Sequence, residues 1–447
     1  MRILRVLRGP SDLVRALRVP IQNYIHTEEV GAFILLAAAA AALGWVNSPW
    51  ADSYGSFWHN YISIDIGIFH LHENLGHLVN DGLMAIFFFL VGLEIKRELL
   101  HGELSSFRKA FLPTAAAAGG MVVPALVYVA FNGTSGAGAA GWGIPMATDI
   151  AFALGVLALL GRRAPAELRV FLLGLAVVDD LGAIGVIAVF YSDAISWSDL
   201  GLAIAVFAII AVCIRLGVRS LGFYVILSIV MWQFLLESGI HATLAGVALA
   251  AVVPSKPYIQ REVYAAAVEV LLTDYRQAIR DEDNEKAEAI TAQIERLSSG
   301  TEGPMERLEG QVHPWVSFVI LPVFALANAG IVFTSGTLSA ALESSVTLGV
   351  FVALPVGKAI GVLGATWLAV RLGVSGLPAG VSWAQVLGVG LLSGIGFTVA
   401  IFISGIAFSD PAVVDQAKMG VFAASVLAGV VGYVVLRWVG GRGADAE

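Results

Sequence analysis

The sequence predicts an all-α polytopic membrane protein of about twelve transmembrane helices. Three observations lead there. Of 447 residues, 58% are hydrophobic and only 13% charged, where soluble domains carry about 25% charged residues. The mean hydropathy is +0.82. The apolar residues also gather in runs of about 20, the length that crosses a hydrocarbon core. These values exclude a disordered chain, an ordinary soluble enzyme and a nucleic-acid binder, whose basic patches the pI near 5.5 also argues against. The 49 glycines suit closely packed membrane helices. The single cysteine, Cys213, excludes an intrachain disulfide and reads as a small packing residue.

In order, the predicted spans are 29–47, 75–97, 109–131, 143–160, 166–191, 199–216, 220–236, 239–254, 314–332, 346–370, 385–408 and 414–436. The arginine-rich stretch before them has no apolar core followed by a small-residue cleavage site, so it reads as an amphipathic leader on the membrane surface. Of the 26 basic residues, all but Lys358 and Lys418 fall at the termini or in even-numbered loops. Basic loops stay cytoplasmic, so both termini are placed on that side of a bacterial inner or cell membrane. The chain then divides into a cytoplasmic segment at 1–28, spans one to eight at 29–254, a charged insertion at 255–312, spans nine to twelve at 313–437 and a tail at 438–447.

Two loops carry patterns of their own. Ile62, Ile64, Ile66 and Ile68 alternate with Ser63, Asp65 and Gly67. That period of two suggests an external hairpin within about 54–72, against an irregular loop lying on the membrane. In the insertion, Tyr264, Val268, Leu271, Leu272, Tyr275 and Ile279 form one helical stripe. Asp281-Glu282-Asp283-Asn284 interrupts it, and Ala287, Ile290, Ile294 and Leu297 form a second. This pattern predicts a helical hairpin with its polar faces in water and a net charge of about −5 between Lys256 and Glu309.

A charge at the centre of a bilayer costs at least about 2.5–3.5 kcal/mol, so each one requires a reason. Asp179 and Asp180 sit deep in the fifth span, Asp149 a third of the way into the fourth, and Lys358 halfway along the tenth. One lysine and one aspartate could form an ion pair that only fixes packing. Two adjacent aspartates cannot both be neutralised by one lysine. Neighbours on a helix point about 100° apart, so one can meet the lysine while the other faces a water-filled cavity. Oxygen ligands suit a hard cation such as sodium, and the same carboxylates titrate as a coupled pair. Sodium and protons competing for one site of alternating access would make an exchanger. The fourth span, with Gly141, Gly143, Pro145 and Gly155, and the eleventh, with Gly388, Gly390, Gly394 and Gly396, both read as interrupted helices. Interrupted spans in two halves point to a transporter's site, although glycines for helix packing would explain either stretch alone. At such crossings Asp149 would neutralise converging helix N-termini and Lys358 the converging C-termini.

The motifs Ala-Thr148-Asp149-Ile-Ala-Phe-Ala-Leu-Gly, Val-Val-Asp179-Asp180-Leu-Gly-Ala-Ile, Val-Gly-Leu-Glu94-Ile-Lys96-Arg97-Glu98-Leu, His241-Ala-Thr-Leu-Ala-Gly and Gly-Ile-Gly396-Phe-Thr398 resemble those of the NhaA family of sodium/proton antiporters. The resemblance covers the chain except its leader and most of residues 257–305. It implies an inverted-repeat transporter, with spans three to five repeated in ten to twelve and spans four and eleven crossing as discontinuous helices. It implies Asp180 as the principal sodium ligand, Asp179 as a second ligand paired with Lys358, and Asp149 and Thr148 beside them. The activity implied is electrogenic export of sodium or lithium against more than one entering proton, with no cofactor. A homodimer in contact through the external hairpin is implied too, with membrane lipid around it and no nucleic acid. A pH-sensing cluster would fall on Glu94, Arg97, Glu98, Glu309 and His313. Here the chain departs from the family pattern, with Gly310 where a histidine is often found and Glu306 where a basic residue is. Without the resemblance, Glu94, Lys96, Arg97 and Glu98 read as a solvated helix end, and His241 as a helix-end histidine satisfied by backbone.

Two other classes use similar residues. An intramembrane aspartyl protease needs two aspartates facing each other from different helices, which would leave Lys358 unexplained. An ion channel usually builds its filter from a symmetric ring, of which the sequence gives no sign.

Overall fold

The computed structural model describes residues 28–66, 69–192, 194–218, 220–301 and 303–444. The leader predicted at 1–28 lies outside them except for Glu28. Helix α1 is Glu28–Val46 and α2, Ala51–Trp58, turns back from it by 116°. Ile62, Ile64 and Ile66 do form a strand, while Ile68 lies outside the described residues. β1 (Tyr61–Ile66) pairs antiparallel with β2 (Phe69–Asn74), with Tyr61 opposite Asn74 and Ser63 opposite His72. The ring of Tyr61 stacks on His72 at 5.0 Å.

The bundle follows as α3 (Leu75–Leu100), α4 (Phe107–Asn132), a 3₁₀ half-helix (Ala139–Met146), α5 (Ile150–Ala158), α6 (Ala166–Phe190), α7 (Trp197–Arg215), α8 (Leu221–Glu237) and α9 (Leu244–Val252). After the insertion come α12 (Pro304–Asn328), α13 (Ser335–Glu343), α14 (Ser345–Arg371), α15 (Trp383–Leu392), α16 (Phe397–Ala407) and α17 (Pro411–Ala444). Among the described residues, eight helical segments are long and apolar enough to cross a membrane, the fourth span counted from Ala139 to Ala158, so the chain is a multi-pass membrane protein. The eleventh span is the pair α15 and α16, bent by 48°.

The structure redraws two boundaries. The eighth span keeps only nine helical residues, because Gly239 takes a positive φ of 80° and turns precede Leu244. At 1.5 Å per residue such a helix reaches only about 14 Å and does not cross alone. The ninth helix begins at Pro304, ten residues before its predicted start at 314. Proline is favoured in a first helical turn, where its missing N–H costs nothing.

Close backbone contact sets the core. A Cβ at Gly361 of α14 would strike the carbonyl of Gly119 on α4, and one at Gly246 of α9 would strike the carbonyl of Ala85 on α3. Small residues let membrane helices approach this closely. The insertion is the expected hairpin, α10 (Arg261–Arg280) against α11 (Asn284–Thr301). Its seam is Leu271, Ala278, Ala287 and Ile290, with Tyr275, Ile294 and Leu297 around them. Leu272 and Ile279 of the predicted stripe lie exposed instead. Both ends of the hairpin meet at its base. The Ile259 N–H donates to Gly300 O at 2.9 Å, and Met305 N–H to Pro254 O at 3.1 Å.

A base closed in this way makes the hairpin separable. A chain joined across a deletion of residues 259–303 is expected to insert and purify as the full chain does, with its melting temperature lowered by no more than a few degrees. Thermal unfolding of the detergent-solubilised protein checks this.

Candidate functional site

Three interruptions of regular helix meet at the middle of the bundle. In the fourth span the chain leaves the 3₁₀ half-helix at Met146, runs extended through Ala147, and re-enters helix at Ile150 with Asp149 as N-cap. In the eleventh, α15 ends at Leu392 and α16 begins at Phe397. In α14 a π-helical turn, Ala353–Gly357, immediately precedes Lys358. Pro355 lies inside that turn and cannot donate to the helical ladder. The two breaks are tied together where the Asp149 N–H donates to Ile395 O at 2.6 Å.

Asp149 serves two helix N-termini at once. Its Oδ1 accepts from Phe152 N at 3.2 Å, capping α5. Its Oδ2 accepts from Thr398 N at 3.0 Å and from Thr398 Oγ1 at 2.6 Å, at the start of α16. Negative charge is stabilised there by unpaired N–H groups and by the helix dipole. Lys358 answers at the opposite polarity. Its Nζ donates to Met146 O at 2.5 Å, the carbonyl end of the 3₁₀ half-helix, and to Thr148 Oγ1 at 3.0 Å. Its third partner is Asp179 Oδ2, in an ion pair that is fully buried on both sides. All three ammonium protons are therefore used. Thr148 Oγ1 in turn lies 2.7 Å from Asp179 Oδ2 and 2.9 Å from Ser393 O, at the C-terminal end of α15. Gly120 of α4 lies flat beside the pair, where a Cβ would sit 3.7 Å from Lys358 Cδ.

The predicted set Thr148, Asp149, Asp179, Asp180 and Lys358 thus converges on one locus, with a single carboxylate left over. Asp180 is 5% exposed and makes no hydrogen bond to any described residue. Asp179 Oδ1 is likewise buried without a hydrogen-bond partner among the described residues. Buried polar oxygens need a partner, and two that share a site with surplus negative charge suit a proton or a hard monovalent cation. No three His, Cys, Asp or Glu side chains among the described residues cluster as a metal site. Any coordination here would combine Asp180 and Asp179 with hydroxyl, carbonyl or water oxygens. Two apolar cavities, about 150 Å³ beside Phe422 and about 410 Å³ beside Trp367, touch none of these residues. Asp149 is engaged by Thr398 and Phe152, and Asp179 by Lys358 and Thr148.

A second polar cluster lies where α3 ends and α12 begins. Arg97 Nη1 bonds Glu309 Oε1, while Arg97 Nη2 stands 3.6 Å from Glu98 Oε1. Glu98 and Glu309 are buried. Glu94, one turn before Glu98, is near enough to act electrostatically on Asp180. His313 follows Glu309 by one turn of α12. A side chain at Gly310 would meet open space. Lys96 is half-buried and bonded to backbone. Its Nζ donates to Ala251 O at 2.7 Å and Val253 O at 2.6 Å, closing the C-terminus of the short α9. Nothing in the spacing around Lys96 announces this, because the carbonyls it caps lie 154 or more residues away.

Residues 22–436 match the family described as Na+/H+ antiporter 1. The chain is 45% identical over 430 residues to a Na+/H+ antiporter NhaA 2 of Syntrophotalea carbinolica, covering 95% of this chain and 98% of that one. It is 46% identical over 426 residues to a Na+/H+ antiporter NhaA of Oleidesulfovibrio alaskensis, covering 94% of each. Over 419 residues it is 43% identical to a Na+/H+ antiporter NhaA of Rhodopirellula baltica, again covering 94% of each.

Removing one partner of a buried ion pair strands the other charge and typically costs about 3–5 kcal/mol. Lys358→Ala is expected to destabilise the protein by that order. Asp179→Asn added to it should recover a large part of the loss, because no charge is then left uncompensated. Thermal melts of the two single variants and the double variant measure the coupling.

Proposed function

This chain belongs to the Na+/H+ antiporter 1 family, and we propose that it exports sodium or lithium in exchange for entering protons, more than one per ion. The observation that carries the reading is the surplus carboxylate. Asp149 is committed to two helix N-termini and Asp179 to Lys358, so Asp180 is the acid left to hold a transported cation or a proton. The site does transport and not covalent catalysis. Asp180 is the principal sodium ligand and Asp179 the second, with Thr148 Oγ1 within reach of the same ion.

The cycle follows from competition. With protons bound, Asp180 is neutral and Lys358 rests on Asp179. A sodium ion arriving at Asp180 draws Asp179 toward itself, and Lys358 loses its only anionic partner. An ammonium unpaired in an apolar site gives up a proton readily. The proton from Asp180 and the one from Lys358 leave together, and one sodium exchanges for two protons. Alternation comes from movement of the two broken helices, whose half-helices end at the site. The membrane is a bacterial inner or cell membrane, with both termini cytoplasmic, and the β1–β2 hairpin joins two copies on the opposite side.

The Arg97–Glu309–Glu98 cluster tunes activity to pH. Protonation of Glu309 would release Arg97 from the start of α12, loosening the seam between α3 and α12 as pH falls.

In proteoliposomes the wild type is expected to acidify or alkalinise the lumen when a sodium gradient is imposed, and Asp180→Asn, folded and inserted, to lose that response entirely. Near-normal exchange by Asp180→Asn would overturn the assignment. Lys358→Ala carried in a stabilised background should exchange one proton per sodium and pass no net current on a solid-supported membrane. A current-to-flux ratio equal to that of wild type would remove Lys358 as a proton carrier. Glu309→Gln should shift or flatten the pH–activity profile while leaving maximal exchange within about twofold, a change in the profile that tracks the loss of one charge-assisted bond of about 1.5–3 kcal/mol.

A further inference from the structure

The mechanism above leaves two tyrosine hydroxyls unexplained, one on the buried Tyr128 and one on the half-buried Tyr191, and both bear on the 3₁₀ half-helix. Tyr128 OH of α4 donates to Gly138 O at 2.7 Å, just before the half-helix begins. Tyr191 stands immediately beyond the end of α6, the helix of Asp179 and Asp180. Its hydroxyl donates to Ala140 O at 2.6 Å and accepts from Gly143 N at 3.1 Å. Residues 140 and 143 are the two ends of one i→i+3 turn, so a single hydroxyl spans the pair of groups that a 3₁₀ turn joins. The ring of Trp142 stacks over Tyr191 at 6.4 Å and meets Phe190 edge-on at 5.0 Å. A Cβ at Gly143 would lie 2.7 Å from the Tyr191 hydroxyl oxygen, so glycine is required there for the hydroxyl to reach the backbone.

Position 143 lies one 3₁₀ turn before Met146, whose carbonyl receives Lys358. Residues three apart eclipse in this helix. The half-helix is thus held at two stacked points, by Tyr191 at Gly143 and by Lys358 at Met146. Tyr191 is carried by the helix that also carries the Asp179 end of the Lys358 pair, eleven and twelve residues after Asp180 and Asp179, roughly 17 Å along its axis. A closed loop results, running from Asp179 through Lys358, Met146, Gly143 and Tyr191 back along α6. The loop fixes how high Thr148 and the carbonyls before it stand relative to Asp180.

Resting on the antiport reading, we infer that the Tyr191 hydroxyl is a positioning residue for the transported cation. A proton needs one carboxylate oxygen and no further geometry. A sodium or lithium ion needs several oxygens at fixed distances, and one of them, Thr148 Oγ1, lies just beyond the half-helix that Tyr191 holds. Cutting the tie therefore penalises the cation and spares the proton.

The test is Tyr191→Phe, assayed by sodium- and lithium-driven proton movement in proteoliposomes across a range of pH. Gly143 N and Ala140 O are donor and acceptor three residues apart in a 3₁₀ segment and are expected to pair with each other in this variant, so the turn survives while its tie to α6 is cut. The apparent KM for sodium is expected to rise roughly threefold to tenfold at every pH, tenfold corresponding to about 1.4 kcal/mol, with maximal rate within about twofold of wild type. The ratio of lithium to sodium KM should change as well. Phe190→Leu disturbs the same aromatic cluster but no hydrogen bond, and should leave both KM values alone. Gly143→Ala, which pushes the hydroxyl away from the backbone, should raise KM in the same direction and serves if Tyr191→Phe does not fold. A Tyr191→Phe variant with lowered maximal rate or melting temperature and unchanged KM would overturn the inference. A wild type without sodium-driven proton movement would instead overturn the antiport reading itself.

Discussion

The structure depends on a single electrostatic constraint, the balance of buried charge where two broken helices cross. Breaking a helix inside a membrane exposes N–H groups on one side of the gap and carbonyls on the other, and no water is there to satisfy them. This protein answers with one carboxylate and one ammonium. Asp149 takes the N–H ends of α5 and α16, and Lys358 takes the carbonyl end of the 3₁₀ half-helix. Thr148 closes the fourth corner at Ser393 O. Those assignments consume Asp149 and one of the two oxygens of Asp179, the remaining partner of Lys358. A third carboxylate at Asp180 is therefore uncompensated by construction, and its free energy depends on what ion or proton is present.

The rest of the bundle holds these groups in register. The Gly119–Gly361 contact brings α4 against α14 just beyond Lys358, and Gly120 leaves the lysine stem room to extend to Met146. A larger residue at 119 or 361 would force apart the two backbones that set the height of the ammonium. The π-helical turn at Ala353–Gly357 rotates the face of α14 at the same place, so Lys358 enters from a helix whose phase has been reset by Pro355. At the far polar cluster, Lys96 anchors α9 to α3, and the buried Met305 packs with Leu93, Ala250 and Val253. The insertion hairpin leaves and rejoins the chain at Pro254 and Met305, one turn before Glu309. Any strain on the hairpin is delivered to the helix turn that carries the Arg97–Glu309 pair.

Much of the site was legible in the sequence because charge in an apolar span cannot be accidental. Asp149, Asp179, Asp180 and Lys358 announced themselves by cost alone, and the structure brings all four together with Thr148. Glycine and proline density marked both interrupted spans. The reason for the glycines was less legible. Gly141, Gly143, Gly394 and Gly396 are not among the residues with positive φ. Instead Gly141 and Gly143 admit the rings of Tyr128 and Tyr191, while Gly394 and Gly396 lie against the backbone of Leu354 and of Ala147. The chain needs those glycines for proximity, and composition cannot distinguish proximity from conformational freedom.

What escaped the sequence has a common physical character. Lys96 was indistinguishable from a solvated helix end, since its partners are backbone carbonyls that every residue possesses. Tyr191 sat in an ordinary aromatic helix terminus, and nothing in its neighbours marks a hydroxyl bound to a half-helix eight residues long in another part of the chain. The short α9 was read as a full span because hydropathy counts apolar side chains and is blind to the turn that Gly239 imposes. A buried charge carries its energetic signature with it wherever the chain is cut. A half-exposed donor meeting a backbone acceptor, charged as in Lys96 or neutral as in Tyr191, acquires its meaning only when folding supplies the other half. Buried charges are thus readable one at a time, whereas the groups that hold them in place become visible only as pairs.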